Sequence, residues 1–392
     1  MTHPQRTKRE IGPENVIFLV CLLVFFGFFA VRMGMLNMIN TLMNTAYELL
    51  IDTVFFLLAL CVVMGALAGL LSEFGVVAMA NRLLNPLMQP VFGMPGAASV
   101  GVVVTFLSDN PAVLSLADDS YFRSLFKKYQ FPALTNLGTA YGMGLIVCTY
   151  MISIAPAGTS FVPAVAVGFL GAVIGSVIST RMMLRFTKKI YGTEAREGDG
   201  SEAAPPTVDE SGRRVRPIRD GNVGNRFLGA ILEGGEAGVK MGLSIIPGVL
   251  IVCTVVLMLT NGPGEGGVYT GAAYEGVGLL TMLAEKLEFI LRPLFGFTSP
   301  EAIGVPITAL GAAGAAIGIA RKLIGSGLAC ANDIAVFTAM CMCWSGYLST
   351  HVSMMNALHS KELIGKSLIC HTVGGFCAGV AAHWLYVLIE MI

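Results

Sequence analysis

An aspartate and an asparagine interrupt an apolar run in the first third of the chain. Asp109 and Asn110 lie in TFLSDNPAVLSLADD, residues 105–119, directly after AASVGVVV. An acid is costly in hydrocarbon, so an intramembrane carboxylate suggests a function: it can bind a coupling cation, accept a proton or hold a polar solute. Its side chain can equally cap the second half of a helical hairpin in which Pro111 is the second residue. Both interpretations stay open, and they are compatible.

The composition indicates a membrane protein. Of the 392 residues, 55% are hydrophobic and 13% are charged, and the mean hydropathy is +0.73. Runs such as NVIFLVCLLVFFGFFAV are long enough to cross about 30 Å of hydrocarbon as helices. We therefore expect an all-α polytopic membrane protein, and the long apolar runs exclude a membrane β-barrel. The formal net charge of zero gives no reason to expect nucleic acid as a partner.

A hydrophilic linker, residues 188–226, divides the chain into two halves of similar size. The linker and the N-terminus are rich in Lys and Arg, which places both in the cytoplasm of a bacterial inner-membrane protein. The predicted full spans, about seven, are 16–33, 52–72, 133–153, 160–184, 241–260, 328–350 and 363–389. Because the first half must cross an even number of times, the leftover apolar segment 98–117 is predicted to be a re-entrant hairpin, with 302–320 as its counterpart.

The two halves align with each other at a fixed offset of 203 residues. PVFGMPGAASVGVVVTFLSDNPAVLSLADD, from Pro90, then faces PLFGFTSPEAIGVPITALGAAGAAIGIARK, from Pro293. Each copy has three crossings, which gives the copies opposite orientations. The predicted segments are a tail with an extra first span (1–50), a first repeat (51–187), the linker (188–226) and an inverted second repeat (227–392). Inverted repeats with interrupted apolar segments are typical of secondary transporters, whose site lies where those segments meet.

The other chemistry-bearing residues predict neither an enzyme nor a resident cofactor. The sequence has no P-loop, nucleophile elbow, zinc motif or pair of catalytic carboxylates. Its histidines lack the i, i+4 spacing of a metal site, and its nine cysteines lie almost all in apolar runs, where helix packing is the simplest role. His351, in the polar stretch WSGYLSTHVS, is a candidate proton relay, with a structural role as the alternative.

The first repeat resembles a known family. LLNPLMQPVFGMPGAASVGVVVTFLSDNPAVLSLADD is similar to the Gate, or nucleoside recognition, domain of bacterial membrane proteins. The second half, including LEFILRPLFGFTSPEAIGVPITALG, is similar to the C-terminal core of concentrative nucleoside transporters. Gate domains also occur in ferrous iron permeases and spore maturation proteins, so the resemblance leaves the substrate open.

The nucleoside-transporter resemblance implies an elevator-type carrier that holds its substrate between two hairpin tips and two unwound helices. The positions that match are Thr105, Ser108, Asp109 and Asn110 for the first hairpin, Thr308, Gly311 and Gly314 for the second, and Asn136, Thr139, Asn332 and Asp333 for the unwound helices. The second tip lacks polar residues. No glutamate matches the one that grips the ribose in the family, and Asp333 is the candidate replacement.

We therefore expect a secondary active transporter of a small polar solute, nucleoside-like or another metabolite. Na⁺ or H⁺ is the expected coupling ion of this symport, with Na⁺ near Asp109. The expected partners are the solute, the lipid bilayer and further copies of the chain in a homo-oligomer. Two alternatives stay open. One is a non-transporting membrane component that acts through partners, as the spore-maturation resemblance suggests, and the other is an exporter of lipid-linked or amphipathic molecules.

Overall fold

The computed structural model describes residues 12–110, 112–113, 122–123, 125–195 and 218–391. Throughout these ranges the regular secondary structure is helical. The helices that are long and apolar enough to cross a membrane are Pro13–Met33, Met35–Glu73, Val162–Tyr191 and Lys361–Glu390. The prediction of an all-α polytopic membrane protein is thereby confirmed. Pro111, the predicted partner of the Asp109 cap, and most of the predicted linker lie outside the described residues.

The first half contains eight described helices, several of which are short. They are α1 (Pro13–Met33), α2 (Met35–Glu48), α3 (Phe55–Glu73), α4 (Val76–Leu87), α5 (Ala98–Leu107), α6 (Ala133–Thr139), α7 (Gly144–Ser153) and α8 (Val162–Tyr191). A π-helical turn, Leu49–Val54, joins α2 to α3 without a break. The span predicted at 52–72 therefore belongs to a helix that begins at Met35, and the boundary predicted at residue 50 falls inside it.

The hydropathy pattern did not predict α2, because this helix carries polar residues whose hydrogen-bond partners lie elsewhere in the protein. The Nδ2 atom of Asn37 donates to the carbonyl oxygen of Tyr269 at 3.1 Å, and that of Asn44 donates to the carbonyl oxygen of Gly271 at 2.9 Å. Thr45 accepts a bond from the Tyr274 amide at 2.8 Å. The loop that contains Tyr269, Gly271 and Tyr274 thus covers the polar side of α2.

The second half has a similar succession of helices. They are α9 (Val223–Pro247), α10 (Thr254–Thr260), α11 (Leu279–Lys286), α12 (Glu288–Phe295), α13 (Gly304–Ala309), α14 (Ala313–Gly325), α15 (Ala331–Cys343), α16 (Tyr347–Ala357) and α17 (Ile364–Glu390). A second π-helical turn, Gly248–Cys253, joins α9 to α10. The segment predicted at 302–320 forms α13 and most of α14, which pack against each other as a hairpin.

Two of the predicted spans are broken helices. The segment 133–153 divides into α6 and α7, and the segment 328–350 divides into α15 and the start of α16. At each break one residue has a left-handed backbone, Met143 with φ 54° and Gly346 with φ 63°, which stops a right-handed helix. The number of full crossings stays a prediction.

Local features recur at the predicted offset of 203 residues. Left-handed Gly93 corresponds to left-handed Gly296, and Met143 corresponds to Gly346. Thr105 and Thr308 each donate a hydrogen bond of 2.8 Å to the carbonyl four residues earlier in their own helix. These pairs support the predicted repeat, because each involves a turn or a helix end rather than shared apolar composition.

Helices from opposite halves of the chain form two close antiparallel pairs. In α3 and α9, a Cβ added at Gly65 would lie 2.4 Å from the Gly234 oxygen, and one added at Gly234 would lie 2.4 Å from the Gly65 oxygen. In α8 and α17, a Cβ added at Gly175 would lie 2.4 Å from the Gly374 oxygen, and one added at Gly374 would lie 2.7 Å from the Gly175 oxygen. Glycine is required because the backbones touch, as in many membrane helix pairs. For α8 and α17, which correspond at the offset of 203 residues, antiparallel pairing is what repeats of opposite orientation require.

An ion-pair cluster joins the end of α3 to the start of α9. The buried carboxylate of Glu73 pairs with Arg219 at 2.7 Å and with Arg226 at 2.7 Å, while Arg219 also pairs with Glu233 at 2.6 Å. Arg219 and Arg226 lie in the last part of the predicted linker, and Arg226 already belongs to α9. These contacts fix the point at which the linker enters the helical part of the protein.

Candidate functional site

The first hairpin tip is a polar turn that follows α5. The hydroxyl of Ser108 donates back to the Val104 carbonyl at 2.6 Å, so it closes the end of the helix. The carboxylate of Asp109 accepts a hydrogen bond from the backbone N–H of Asn110 at 2.7 Å. Asp109 is partly exposed, whereas Asn110 is fully buried. The tip therefore offers a carboxylate near the surface of the protein and inserts an amide into its interior.

The amide of Asn110 docks into the break between α15 and α16. Its Nδ2 atom donates to the carbonyl oxygen of Ser345 and lies 3.4 Å from the hydroxyl of Thr350. Its Oδ1 atom lies against Gly142, where an added Cβ would be 1.5 Å from that oxygen. Gly142 is in the break between α6 and α7, so the tip touches both broken helices. A larger residue at position 142 would occupy the space of the Asn110 amide.

The second tip reaches the same break with backbone atoms alone. Residues 310–312 connect α13 to α14, and the amides of Gly346 and Leu348 donate to the carbonyl oxygens of Ala309 at 3.0 Å and Leu310 at 3.4 Å. A Cβ added at Gly346 would lie 3.1 Å from the Gly311 oxygen. The two tips consequently meet neighbouring residues of one broken helix, Ser345 for the first tip and Gly346 for the second.

Two buried polar atoms at this meeting point have no hydrogen-bond partner among the described residues. They are Oδ1 of Asn110 and the hydroxyl oxygen of Ser345. Buried polar atoms are nearly always paired, and an unpaired one costs free energy. This pair therefore marks a place where a polar ligand would find both a hydrogen-bond acceptor and a hydroxyl group.

A cavity of about 250 Å³ lies beside the first tip. Its lining is mostly apolar and comes from α3, α9, the end of α5 and α7; it includes Cys61, Gly65, Leu107, Ser108, Gly234 and Met241. The helix pair α3 and α9 is thus less tightly packed against the first tip than its two members are against each other.

The structure separates Asn332 and Asp333 from the two tips. The carboxylate of Asp333 accepts bonds from the amide of Thr298 at 3.1 Å and the amide of Cys330 at 2.9 Å, which caps the start of α15. The side-chain amide of Asn332 donates hydrogen bonds to the carbonyl oxygens of Phe295 and Gly296. Asp333 precedes Ser345 by 12 residues, which corresponds to about 18 Å along a helix. Its bonds are those of a helix cap, and the geometry gives no support to a contact with a solute at the tips.

The other predicted positions lie closer to the tips, with differing contacts. Thr105 and Thr308 are bonded to their own helices, and the Thr139 hydroxyl faces the sulfur of Met354 at 3.8 Å. Gly311 is exposed at the second tip, and Gly314 is buried as the second residue of α14. Asn110 and Gly311 are therefore the predicted residues that the structure brings to the common break.

Asn136 belongs to a buried polar network that the sequence pattern does not reveal. Its side chain bonds Ser179 at 3.0 Å and Ser367 at 2.9 Å. These serines in turn contact His371 and His351 at 3.0 and 2.9 Å. Ser179, Ser367 and His371 were missed because they lie in α8 and α17, where small and polar residues are scattered through long apolar helices. They come together only when α8 and α17 are packed in the folded protein.

Comparisons with known proteins agree with the fold described above. Residues 54–174 match the Gate family, described as nucleoside recognition, which confirms the resemblance for that part of the chain. Among curated proteins no sequence matches.

Solved structures of CNTnw, a concentrative nucleoside transporter, have a similar fold. An inward-facing substrate-bound state gives a TM-score of 0.53 at 14% identity and covers 94% of this chain and 82% of that chain. A double variant in an outward-facing state gives 0.54 at 14% identity, covering 94% and 84%. A variant in the intermediate 2 state gives 0.50 at 15% identity, covering 96% and 84%. At this level of identity the likeness shows a common fold.

Proposed function

We propose that this protein is a secondary active transporter of a small polar, nucleoside-like solute. The observation that carries the proposal is the insertion of Asn110 into the break at Ser345, where two buried polar atoms lack partners. In membrane transporters, irregular backbone at membrane depth occurs where it is buried in protein or lines a site for solutes and ions. The solute takes its place between the two tips and replaces contacts that Asn110 makes with the broken helix.

The chemistry of the tips favours a neutral solute with several hydrogen-bonding groups. The first tip supplies an amide, a hydroxyl group and the carboxylate of Asp109, while the second supplies backbone atoms around Gly311. Nucleosides carry ribose hydroxyls and base edges that match such groups. Asp109 directly precedes Asn110 and serves as a ligand of the solute or of a coupling cation, Na⁺ or H⁺.

An elevator-type movement is consistent with how the tips are attached. Both tips bond the α15–α16 break, and α15 packs closely against α8 and α17. The cavity of about 250 Å³ lies instead between the first tip and the α3–α9 pair. We infer that the tips, α6–α8 and α14–α17 move together, and that the α3–α9 pair stays fixed in the membrane. The similar structures include inward-facing, outward-facing and intermediate states of CNTnw, which makes alternating access the movement to test here.

The test is uptake of radiolabelled solutes by proteoliposomes that contain the purified protein. A panel of nucleosides, with nucleobases and sugars for comparison, is offered under inward Na⁺ and H⁺ gradients. We expect uptake of at least one nucleoside and its loss in Asn110→Leu, which keeps the size of the side chain and removes its hydrogen bonds. Asn225→Ala, at an exposed residue of α9, is the matched control and should behave as wild type.

Absence of uptake for the whole panel, with protein that is folded and correctly inserted, would refute the proposal. Copurification of a partner together with that result would favour the non-transporting alternative. Wild-type uptake in Asn110→Leu would remove the first tip from the site.

A further inference from the structure

Two buried histidines lie next to the residues that hold the first tip. His351 is in α16 and His371 is in α17; the two rings have centroids 4.5 Å apart, and both side chains are almost completely buried. His351 follows Thr350, which contacts Asn110, and His371 bonds the carbonyl of Cys343, two residues before Ser345. The proposed function uses neither ring.

A backbone carbonyl fixes the orientation of the Asn136 amide. One terminal atom of this side chain lies 3.0 Å from the carbonyl oxygen of Ser367, which can only accept a hydrogen bond. That atom must therefore be the NH₂ nitrogen. The other terminal atom is then Oδ1, which lies 2.9 Å from the hydroxyl of Ser367 and can only accept, so the hydroxyl donates its single proton to Asn136.

This assignment determines the tautomer of His351. Its Nδ1 atom is 2.9 Å from the same Ser367 hydroxyl, whose proton is already used, so Nδ1 must carry the hydrogen and donate it. In a neutral imidazole the other nitrogen then carries a lone pair and no hydrogen. That atom, Nε2 of His351, is buried and has no hydrogen-bond partner among the described residues. The network thus ends in an unpaired base.

The same logic gives a closed arrangement for His371. Its Nε2 atom faces the Cys343 carbonyl and must donate, so its Nδ1 atom accepts from the Ser179 hydroxyl at 3.0 Å. Ser179 then accepts from the Asn136 amide at 3.0 Å. Every nitrogen of His371 is therefore paired, and His351 is the member of the two that has an open position.

We propose that Nε2 of His351 is the binding site of the proton that is coupled to movement of the first tip. The inference rests on the proposed function. A proton on Nε2 would place a charge in a buried site without an acceptor, which costs free energy. Proton binding consequently favours a state in which Asn110 has left Ser345 and Thr350 and water reaches the ring. Two states that differ in proton affinity are what coupling requires.

The titratable groups around this site come from every element packed against α16. Helix α6 carries none. The first turns of α17 carry Lys366, Cys370 and His371, and its remainder carries Cys377, His383, Tyr386 and Glu390. The short helix Lys361–Leu363 carries Lys361 and Glu362, the first tip carries Asp109, and α16 itself carries Tyr347. The rings of His371 and Tyr347 contact that of His351, the latter with centroids 5.5 Å apart. Among the described residues no group of three His, Cys, Asp or Glu side chains is placed to hold a metal ion.

The first test reads the proton directly and does not depend on transport. Full-length protein with ¹⁵N-labelled histidine is placed in lipid nanodiscs and titrated from about pH 8 to pH 5, near the range in which histidine ordinarily titrates. His351→Asn assigns the signal, because the Asn amide keeps the donor to Ser367 and removes the base at Nε2. We expect the His351 signal to show hydrogen on Nδ1 alone at high pH and on both nitrogens after acidification.

A signal with hydrogen on Nε2 alone, or one that stays unchanged over this range, would overturn the proposal. Should His351→Asn fail to fold, subtraction of each other histidine in turn assigns the same signal by elimination.

The second test measures coupling. Uptake of tritiated uridine into proteoliposomes is compared with and without an acid-outside pH gradient, and the ratio of the two rates corrects for the amount of active protein. We expect a ratio of several-fold in wild type and in His383→Asn, and a ratio of about one in His351→Asn. His383 is the matched control because its Nδ1 atom also bonds a polar side chain, at 2.8 Å from Asn332.

A gradient response that persists in His351→Asn, or that is absent from a wild type that transports uridine, would refute proton coupling at this residue. If the wild type transports no nucleoside, the proposed function fails, and the titration of His351 still decides whether its Nε2 atom binds a proton.

Discussion

The two hairpin tips reach one broken helix by different means. The first inserts the side chain of Asn110 against Ser345, and the second offers only the backbone around Gly311 to Gly346. The preceding helices are alike, since Thr105 and Thr308 make the same bond to their own helices. The comparison teaches that a repeat can keep the turns that shape a hairpin while its tips diverge. In the proposed function, recognition by side chains is then concentrated at the first tip.

The largest effect is expected from filling the space beside Asn110. In Gly142→Ala the added methyl would lie 1.5 Å from the Asn110 oxygen, so the amide is displaced and its hydrogen bonds are lost. Overpacking and the loss of buried bonds each cost about 1–3 kcal/mol, so we expect uptake of tritiated uridine to fall by about 100-fold. Gly365→Ala, where nothing lies within 4 Å, is the control. Normal uptake in Gly142→Ala would show that docking of the first tip is dispensable.

A smaller loss is expected when the acid of the first tip is neutralised. Asp109→Asn keeps the size of the side chain and keeps an oxygen that can accept the hydrogen bond from the backbone N–H of Asn110. It removes the charge available to a solute or cation. A hydrogen bond to a charged group contributes about 1.5–3 kcal/mol, so uptake in proteoliposomes should fall by about 10-fold to 100-fold. Size-exclusion chromatography should show folded protein. Unchanged uptake would remove Asp109 from the mechanism.

At the second tip, the sensitive position is on the broken helix. Gly346→Ala puts a side chain on a residue with φ 63° and 3.1 Å from the Gly311 oxygen. A left-handed backbone costs an ordinary residue about 1–2 kcal/mol, so we expect a lower temperature of unfolding and a several-fold loss of uptake. A thermal shift assay in detergent checks the first and proteoliposomes the second. An unchanged unfolding temperature would mean that the break relaxes freely.

The smallest effect is expected at the second tip itself. In Gly311→Ala the new Cβ would lie 3.8 Å from its nearest neighbours, the Thr308 oxygen and Val252, which is an ordinary contact. Since this tip acts through its backbone, uptake should stay within about twofold of wild type. A loss as large as that of Gly142→Ala would show that the two tips recognise the solute in the same way, and it would end the contrast between them.

The sequence alone was sufficient for the helical membrane class and for the polar first tip, because these depend on runs of apolar residues and on the polar residues that interrupt them. The 203-residue repeat stays a prediction, which the paired turns at Gly93 and Gly296 support. The error at α2 in the sequence-based prediction has a physical reason. Asn37 and Asn44 interrupt the apolar pattern of α2, and the loop that accepts their hydrogen bonds lies more than two hundred residues away in the sequence.

Only the tertiary structure decided which polar residues meet. Gly142 and Gly144 flank left-handed Met143, but glycines also lie inside continuous helices such as α8, so they do not by themselves mark residues 140–143 as a helix break. Likewise, the assignment of Asp333 to a helix cap and of Asn136 to a network with two histidines depends on bonds between distant segments. Hydrogen bonds are short and directional, so their partners become known only when the helices that carry them are placed in space.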